Sequence, residues 1–152
     1  MDIRNIDFWL LISVSALCGA VLGFERQWRG KPAGIRTSIL ICLGTAIFIR
    51  LSAAVGDKGG DPARVLGQVV TGVGFIGAGM MLTRDRVVVG VTSAAVVWLL
   101  AAIGATVGFG YYLSAMVLSV LSVLFLAGVA YVEARIGLLP RGDGGDHRAP
   151  DE

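Results

Sequence analysis

The chain has 152 residues, of which 55% are hydrophobic, with a mean hydropathy of +0.77 and a formal net charge of +2. A soluble domain of this length cannot bury so much apolar surface, because small folds leave a large fraction of their area in contact with water. The composition therefore excludes an ordinary soluble domain and indicates a protein whose solvent is the lipid bilayer. No nucleic-acid partner is predicted.

Five apolar stretches are long enough to cross a hydrocarbon core of about 30 Å, which requires roughly 20 helical residues. They lie at about residues 6–24, 37–55, 64–82, 87–108 and 111–132. The sequence thus predicts an all-α, polytopic membrane bundle of about five transmembrane helices within residues 1–135. The polar segment 136–152, rich in Gly, Pro and Asp, is predicted to be a short disordered cytoplasmic tail.

Basic residues are distributed unequally between the two sides of this predicted bundle. Nine lie after the first, third and fifth stretches, and four lie on the other side. Because basic loops stay in the cytoplasm, the amino terminus is predicted outside and the carboxyl terminus inside. His147 lies in the tail, and Cys18 and Cys42 lie in predicted helices, so we expect no metal site, cofactor or disulfide framework.

Glycines recur at spacings that favour close packing between helices. In a bilayer, helix association rests on tight contact and interhelical hydrogen bonds, which small residues permit. The predicted packing positions are two GxxxG pairs and a group in the third stretch: Gly19, Gly23, Gly104, Gly108, Gly72, Gly74, Gly77 and Gly79. The third helix is therefore predicted to be central and contacted on several sides, with a bend or a narrow passage as the alternative use of its glycines.

Polar residues in the third stretch fall on one helical face, because they recur at intervals of three or four. This stripe consists of Asp61, Arg64, Gln68, Gly72, Phe75 and Gly79. Asp61 followed by Pro62 predicts a helix start with a side-chain cap. Arg64 lies in the first turn, where the helix dipole is already positive, so we expect an anion near it, either Asp61 three residues back or an acid from another helix. The stripe is predicted to face inward, onto neighbouring protein.

The loop after the first stretch carries charges at two predicted helix ends. Glu25 lies at the carboxyl end of the first helix and Arg36 at the amino end of the second, where the dipoles disfavour both charges. We predict an ion pair between them across a hairpin, with Arg26 as a further member. The alternative is that both side chains reach headgroup water.

Four motifs together resemble the membrane domain of the MgtC/SapB family over about residues 10–132. They are GAVLGFER at 19–26, AGIRT at 33–37, QVVTGVGFIGAG at 68–79 and GVTSAAVVW at 90–98. The resemblance implies a multi-pass protein of the bacterial inner membrane whose relatives are linked to growth in low magnesium, to survival in macrophages and to membrane-potential homeostasis. It also implies restraint of the F-type ATP synthase, and it suggests the short, SapB-like form without a carboxyl-terminal ACT-like domain.

Three classes of function compete. The glycine-rich faces and the resemblance favour a regulatory membrane protein that binds other membrane proteins. The same faces are compatible with a homo-oligomer. A subunit of a magnesium transporter or channel is the alternative, because intramembrane polar residues are costly and mark functional sites. An enzyme is not expected, since no nucleophile–base pair or paired acids are visible. The predicted functional polar cluster comprises Glu25, Arg26, Arg36, Thr37, Asp61, Arg64 and Gln68.

Overall fold

A computed structural model describes residues 4–56, 61–84 and 87–136 of the chain. Within these residues the chain forms five α-helices and one antiparallel β-hairpin. The helices are α1 (Ile6–Trp28), α2 (Ile35–Gly56), α3 (Pro62–Ala78), α4 (Val91–Gly108) and α5 (Tyr112–Ile136), and the strands β1 (Leu82–Arg84) and β2 (Val87–Val89) lie between α3 and α4.

Local sequence signals explain where three helices begin. The Asn5 side chain caps α1 by accepting the Asp7 amide at 3.0 Å. Asp61 caps α3 by accepting the Ala63 amide at 2.9 Å, and a proline follows it, so the predicted helix start is confirmed. Gly90 precedes α4 with a φ of +88°, and a Cβ there would collide with the Met80 carbonyl oxygen. Only glycine meets both requirements at that position.

The predicted all-α membrane bundle is confirmed. Among the described residues, four helices are long and apolar enough to cross a membrane, namely α1, α2, α4 and α5. α3 has 17 residues, or about 26 Å at 1.5 Å per residue, and is shorter than a typical span. The hairpin, whose β-branched valines favour strands, ends the third apolar stretch early and delays the fourth. The predicted orientation stays a prediction, and residues 137–152 lie outside the described part.

α4 is the central helix of the bundle. Among the described residues, it packs against all four other helices, whereas α3 makes its substantial contacts with α4 and α2 only. The prediction that α3 is central is therefore wrong. Small residues permit close approach, but they do not specify which helix approaches, and α4 carries a small-residue face of its own in Ala101, Gly104, Ala105 and Gly108.

The core lies where α1, α2 and α4 meet, and α5 covers one side of it. Its fully buried side chains include Leu11, Leu22, Leu100 and Ile103. Many large apolar side chains point outward instead, most of all on α5. Such outward apolar surface fits a bilayer as the surrounding solvent.

Glycines let α2 approach both of its main neighbours. A Cβ on Gly19 would lie 2.7 Å from the Ile39 Cα atom, and one on Gly23 would lie 2.6 Å from the Ile35 Cα atom. On α4, a Cβ at Gly104 would collide with a carbonyl oxygen of α2. The backbones of α1, α2 and α4 are therefore close enough that a methyl group does not fit between them.

Three helix ends are tied together by hydrogen bonds at one end of the bundle, called here the Arg50 end. Arg50 Nη2 donates to Tyr112 Oη at 2.7 Å, and Tyr112 Oη donates to the Asp7 carbonyl oxygen at 3.4 Å. The carboxyl end of α2 is thus joined to the amino ends of α5 and α1. The spacing of Asp7, Arg50 and Tyr112 in the sequence does not predict this network.

Candidate functional site

The most enclosed charged group of the described residues lies at the opposite end of the bundle, where α1 ends. Arg26 is only 4% exposed, and its Nη2 donates to Ser93 Oγ in the first turn of α4. α1 continues to Trp28, so both Glu25 and Arg26 belong to its last two turns rather than to a loop. The guanidinium group therefore joins α1 directly to the start of the central helix. We call this the Arg26 end.

Glu25 neutralises this end, but not with the predicted partner. Its Oε1 accepts from Arg29 Nε at 2.6 Å, a pair one helical turn apart. Arg36 and Thr37 are exposed on α2, and no Glu25–Arg36 ion pair is found among the described residues. The predicted pair is wrong because the next turn of the same helix offers a cation with no loop to order.

The charges at the Arg26 end are enclosed and incompletely satisfied. Glu25 Oε2 and Arg26 Nε are buried without a hydrogen-bond partner. A cation at the amino end of α4 meets the positive end of that helix dipole, and the carboxylate beside it offsets the repulsion. The arrangement is suited to hold α1 and α4 in one register. Within the described residues, no group of His, Cys, Asp or Glu side chains could hold a metal ion.

The polar stripe of α3 faces away from the bundle. All six of its members are exposed, namely Asp61, Arg64, Gln68, Gly72, Phe75 and Gly79. An adjacent side of α3 packs inward through Val69 and Val73, together with Met80 just beyond the end of the helix. The predicted inward orientation is therefore wrong: α3 buries its aliphatic side against α4 and α2. Among the described residues, the polar side is left without a partner on another helix. We call the six exposed residues the α3 face.

The glycines of α3 also differ in whether they face open space or a neighbouring helix. A Cβ added at Gly72 or Gly74 would meet nothing within 4 Å, whereas one at Gly77 would lie 3.4 Å from the Ala94 carbonyl oxygen. Gly79 is exposed at the end of the helix. Two of the four predicted packing glycines on this helix thus border open space, and Gly72, one turn after Gln68, leaves a flat surface beside that side chain.

A lateral groove of about 310 Å³ lies between α3 and α4, next to the α3 face. Its walls are almost entirely apolar: Leu66, Val69, Val70, Trp98, Ala101, Ala102, Ala105, Thr106 and Phe109. Trp98, which falls in the middle of its helix, is 54% exposed and forms one wall of this groove.

The predicted polar cluster is split between the two ends of the bundle. Arg26 bonds to Ser93 and Gly77 lies against Ala94, so α4 begins where α1 and α3 end. Asp61 and Arg64, at the start of α3, therefore lie toward the other end. The structure brings Glu25 and Arg26 together and leaves the α3 residues on a separate, outward surface.

Sequence reasoning missed two of the residues at the Arg26 end. Ser93 lies within the motif GVTSAAVVW, yet a lone serine in an apolar segment gives no signal of its own. Arg29 lies four residues after Glu25, and this spacing would have indicated the observed pair had α1 been extended by one turn.

Apolar helices packed around a buried arginine, with apolar side chains turned outward, define a polytopic membrane protein. The family model described as MgtC family matches residues 12–135, and the chain belongs to this family. It is 46% identical over 123 residues to "Putative magnesium transporter YhiD" of Escherichia coli (strain K12), covering 76% of this chain and 57% of the relative.

Other relatives show a similar extent of match. "Protein MgtC" of Salmonella typhimurium (strain LT2) is 35% identical over 152 residues, which cover 97% of this chain and 64% of the relative. "Uncharacterized protein slr0014" of Synechocystis is 36% identical over 107 residues, which cover 70% of this chain and 45% of the relative. The chain thus spans less than two thirds of the length of these curated relatives. The search of solved structures found no significant match.

Proposed function

We propose that this chain is a protein of the bacterial inner membrane that serves magnesium homeostasis by contacting other membrane proteins in the plane of the bilayer. The observation that carries the proposal is the outward direction of the α3 face. Gln68 lies seven residues into this face from the Asp61 cap, about 10 Å along the helix axis. The proposal places α3 in the bilayer beside α4, where an uncovered amide has no water to bond and neighbouring protein supplies the missing partners.

Arg64 adds to this argument. It is exposed, its first-turn position opposes the helix dipole, and it makes no ion pair with any described residue. A guanidinium inside a bilayer costs about 2.5–3.5 kcal/mol at the centre of a span, less near the interface. A partner protein with acceptor groups relieves this cost. The F-type ATP synthase is the candidate partner that the family resemblance supplies.

The link to magnesium rests on the relatives, one of which, at 46% identity, carries the name "Putative magnesium transporter YhiD". That name favours transport as a second candidate function. The positions of the polar groups favour contact instead: Arg64 faces outward rather than into the chain, and in an oligomeric pore lined by α3 its positive charge would repel Mg²⁺.

Photo-crosslinking in living bacteria tests the proposal. A photoreactive amino acid is placed at Gln68 in one strain and at Leu124, which is 60% exposed on α5, in the control strain. We expect an adduct with a different membrane protein from position 68 and none from position 124. Only lipid adducts at both positions would overturn the proposal.

Proteoliposomes test the second candidate. We expect magnesium entry, read with an enclosed fluorescent indicator, to equal that of empty liposomes. Entry that exceeds both empty liposomes and an Arg64→Ala control would favour transport over contact.

A further inference from the structure

We infer that the α3 face is a self-complementary surface that binds the α3 face of a second copy of this chain. The inference rests on the proposed function in one respect, namely that protein rather than lipid covers this face. It goes further by naming the occupant. Because both contacts use one surface, the pair of identical chains and the complex with another membrane protein exclude one another.

Membrane insertion restricts how two copies can meet. Copies with the same orientation are related by a two-fold axis along the membrane normal, so equivalent residues lie at the same depth and face one another. Gln68 of one copy therefore faces Gln68 of the other. A primary amide carries two donors and an acceptor, so two facing amides satisfy each other.

The charges on the α3 face also pair across such an axis. Arg64 lies three residues after Asp61, a rise of about 4.5 Å that a long arginine side chain spans. The Ala63 amide occupies Asp61 Oδ1 at 2.9 Å, which leaves Oδ2 as an acceptor. Each copy thus offers one cation and one anion, and the pair forms two symmetric Asp61–Arg64 contacts between copies.

Shape follows the same pattern farther along the helix. Phe75 is 83% exposed, and Gly72 and Gly79 lie about one turn before and after it. A Cβ at Gly72 would meet nothing within 4 Å of its own chain, so the notch there is open. The ring of one copy can pack beside the glycines of the other, as a knob beside two holes.

The outward side of α5 is the comparison surface. It is dominated by exposed apolar residues such as Leu113, Leu124 and Phe125, which acyl chains solvate without a protein partner. The α3 face instead carries both signs of charge, an amide and matching shapes. The groups on this face therefore complement one another, so two copies of the chain can bind through the same surface.

A pair of matched glycine substitutions tests the inference. Gly72→Leu and Gly128→Leu each place a side chain where a Cβ meets nothing within 4 Å, so neither is expected to disturb the single-chain fold. The purified full chain is labelled with donor and acceptor dyes and reconstituted in phosphatidylethanolamine–phosphatidylglycerol liposomes. We expect Gly72→Leu to lower the dimer fraction at least tenfold and Gly128→Leu to change it less than twofold. Equal effects would overturn the inference.

Disulfide cross-linking gives an independent readout that does not depend on Gly72→Leu folding. Both native cysteines are buried, so in liposomes Gln68→Cys and Leu124→Cys each present one accessible thiol. We expect a covalent dimer from Gln68→Cys under mild oxidation and little from Leu124→Cys. Equal or reversed yields would overturn the inference. Only this chain is present in the liposomes. Failure of the liposome tests would therefore not contradict a cross-link to a different membrane protein in cells. Absence of that cellular cross-link would likewise not contradict a dimer in liposomes.

Discussion

Gly19→Ala is expected to destabilise the contact between α1 and α2. The added Cβ would lie 2.7 Å from both the Ile39 Cα atom and the Ser38 carbonyl oxygen. Both atoms belong to the backbone, which cannot rotate away as a flexible side chain can. Ordinary contact begins at 3.4 Å, so α2 has to move by about 0.7 Å relative to α1.

The matched control is Gly128→Ala on α5, where the added Cβ would meet nothing within 4 Å. Both substitutions gain roughly 0.5–1 kcal/mol from replacing glycine within a helix. This gain cancels when the two variants are compared, and the overpacking cost of about 1–3 kcal/mol remains. At about 2–4 °C per kcal/mol for a chain of this size, Gly19→Ala should melt about 2–12 °C below Gly128→Ala.

Thermal unfolding in mild detergent measures this difference, with the fraction of monodisperse protein followed by fluorescence-detected size exclusion after heating. Equal melting temperatures for the two alanine variants would contradict a tight backbone contact at Gly19. A Gly19→Ala variant that melts higher would show that α1 and α2 lie farther apart than the structure places them.

Two further substitutions address the ends of the bundle. Glu25→Gln removes the carboxylate from a buried ion pair and should lower the free energy of unfolding by about 1–3 kcal/mol. Arg36→Gln, on the exposed side of α2, should leave the melting temperature unchanged. Equal effects of the two substitutions would indicate that Glu25 pairs with Arg36 after all. Tyr112→Phe removes the hydroxyl that accepts from Arg50 and should cost about 0.5–1.5 kcal/mol, while Tyr111→Phe, which changes a 65% exposed side chain, should be neutral in the same melting assay. A Tyr112→Phe variant as stable as the parent would mean that the network at the Arg50 end contributes nothing.

Capping at the start of α3 could be predicted from two adjacent residues. Asp61 and Pro62 specify the cap without help from the rest of the chain, because the side-chain acceptor and the missing amide hydrogen act within one turn. The residues at which α3 ends and α4 begins could not be predicted in the same way. Apolar composition alone does not distinguish the end of a helix from a short strand such as Val87–Val89.

The candidate site also contains features that could be predicted from the sequence and features that could not. Helical spacing placed Arg64 and Gln68 on one stripe, and the structure retains that stripe. Which way the stripe faces could not be predicted, since a polar glycine-rich surface suits the centre of a bundle and an interface between proteins equally well. The preference of Glu25 for Arg29 depended on how far α1 extends.

Apolar length, capping residues and periodicity act over one or two turns, so the surrounding solvent, the helical class and the faces of each helix could be predicted from the residues alone. The central position of α4, the outward direction of the polar side of α3 and the Arg26–Ser93 hydrogen bond arise only when the helices pack together. Those outcomes depend on which surfaces compete for a limited interior. In a bilayer the apolar surfaces gain little from one another, so close backbone fit between α1, α2 and α4 decided the arrangement.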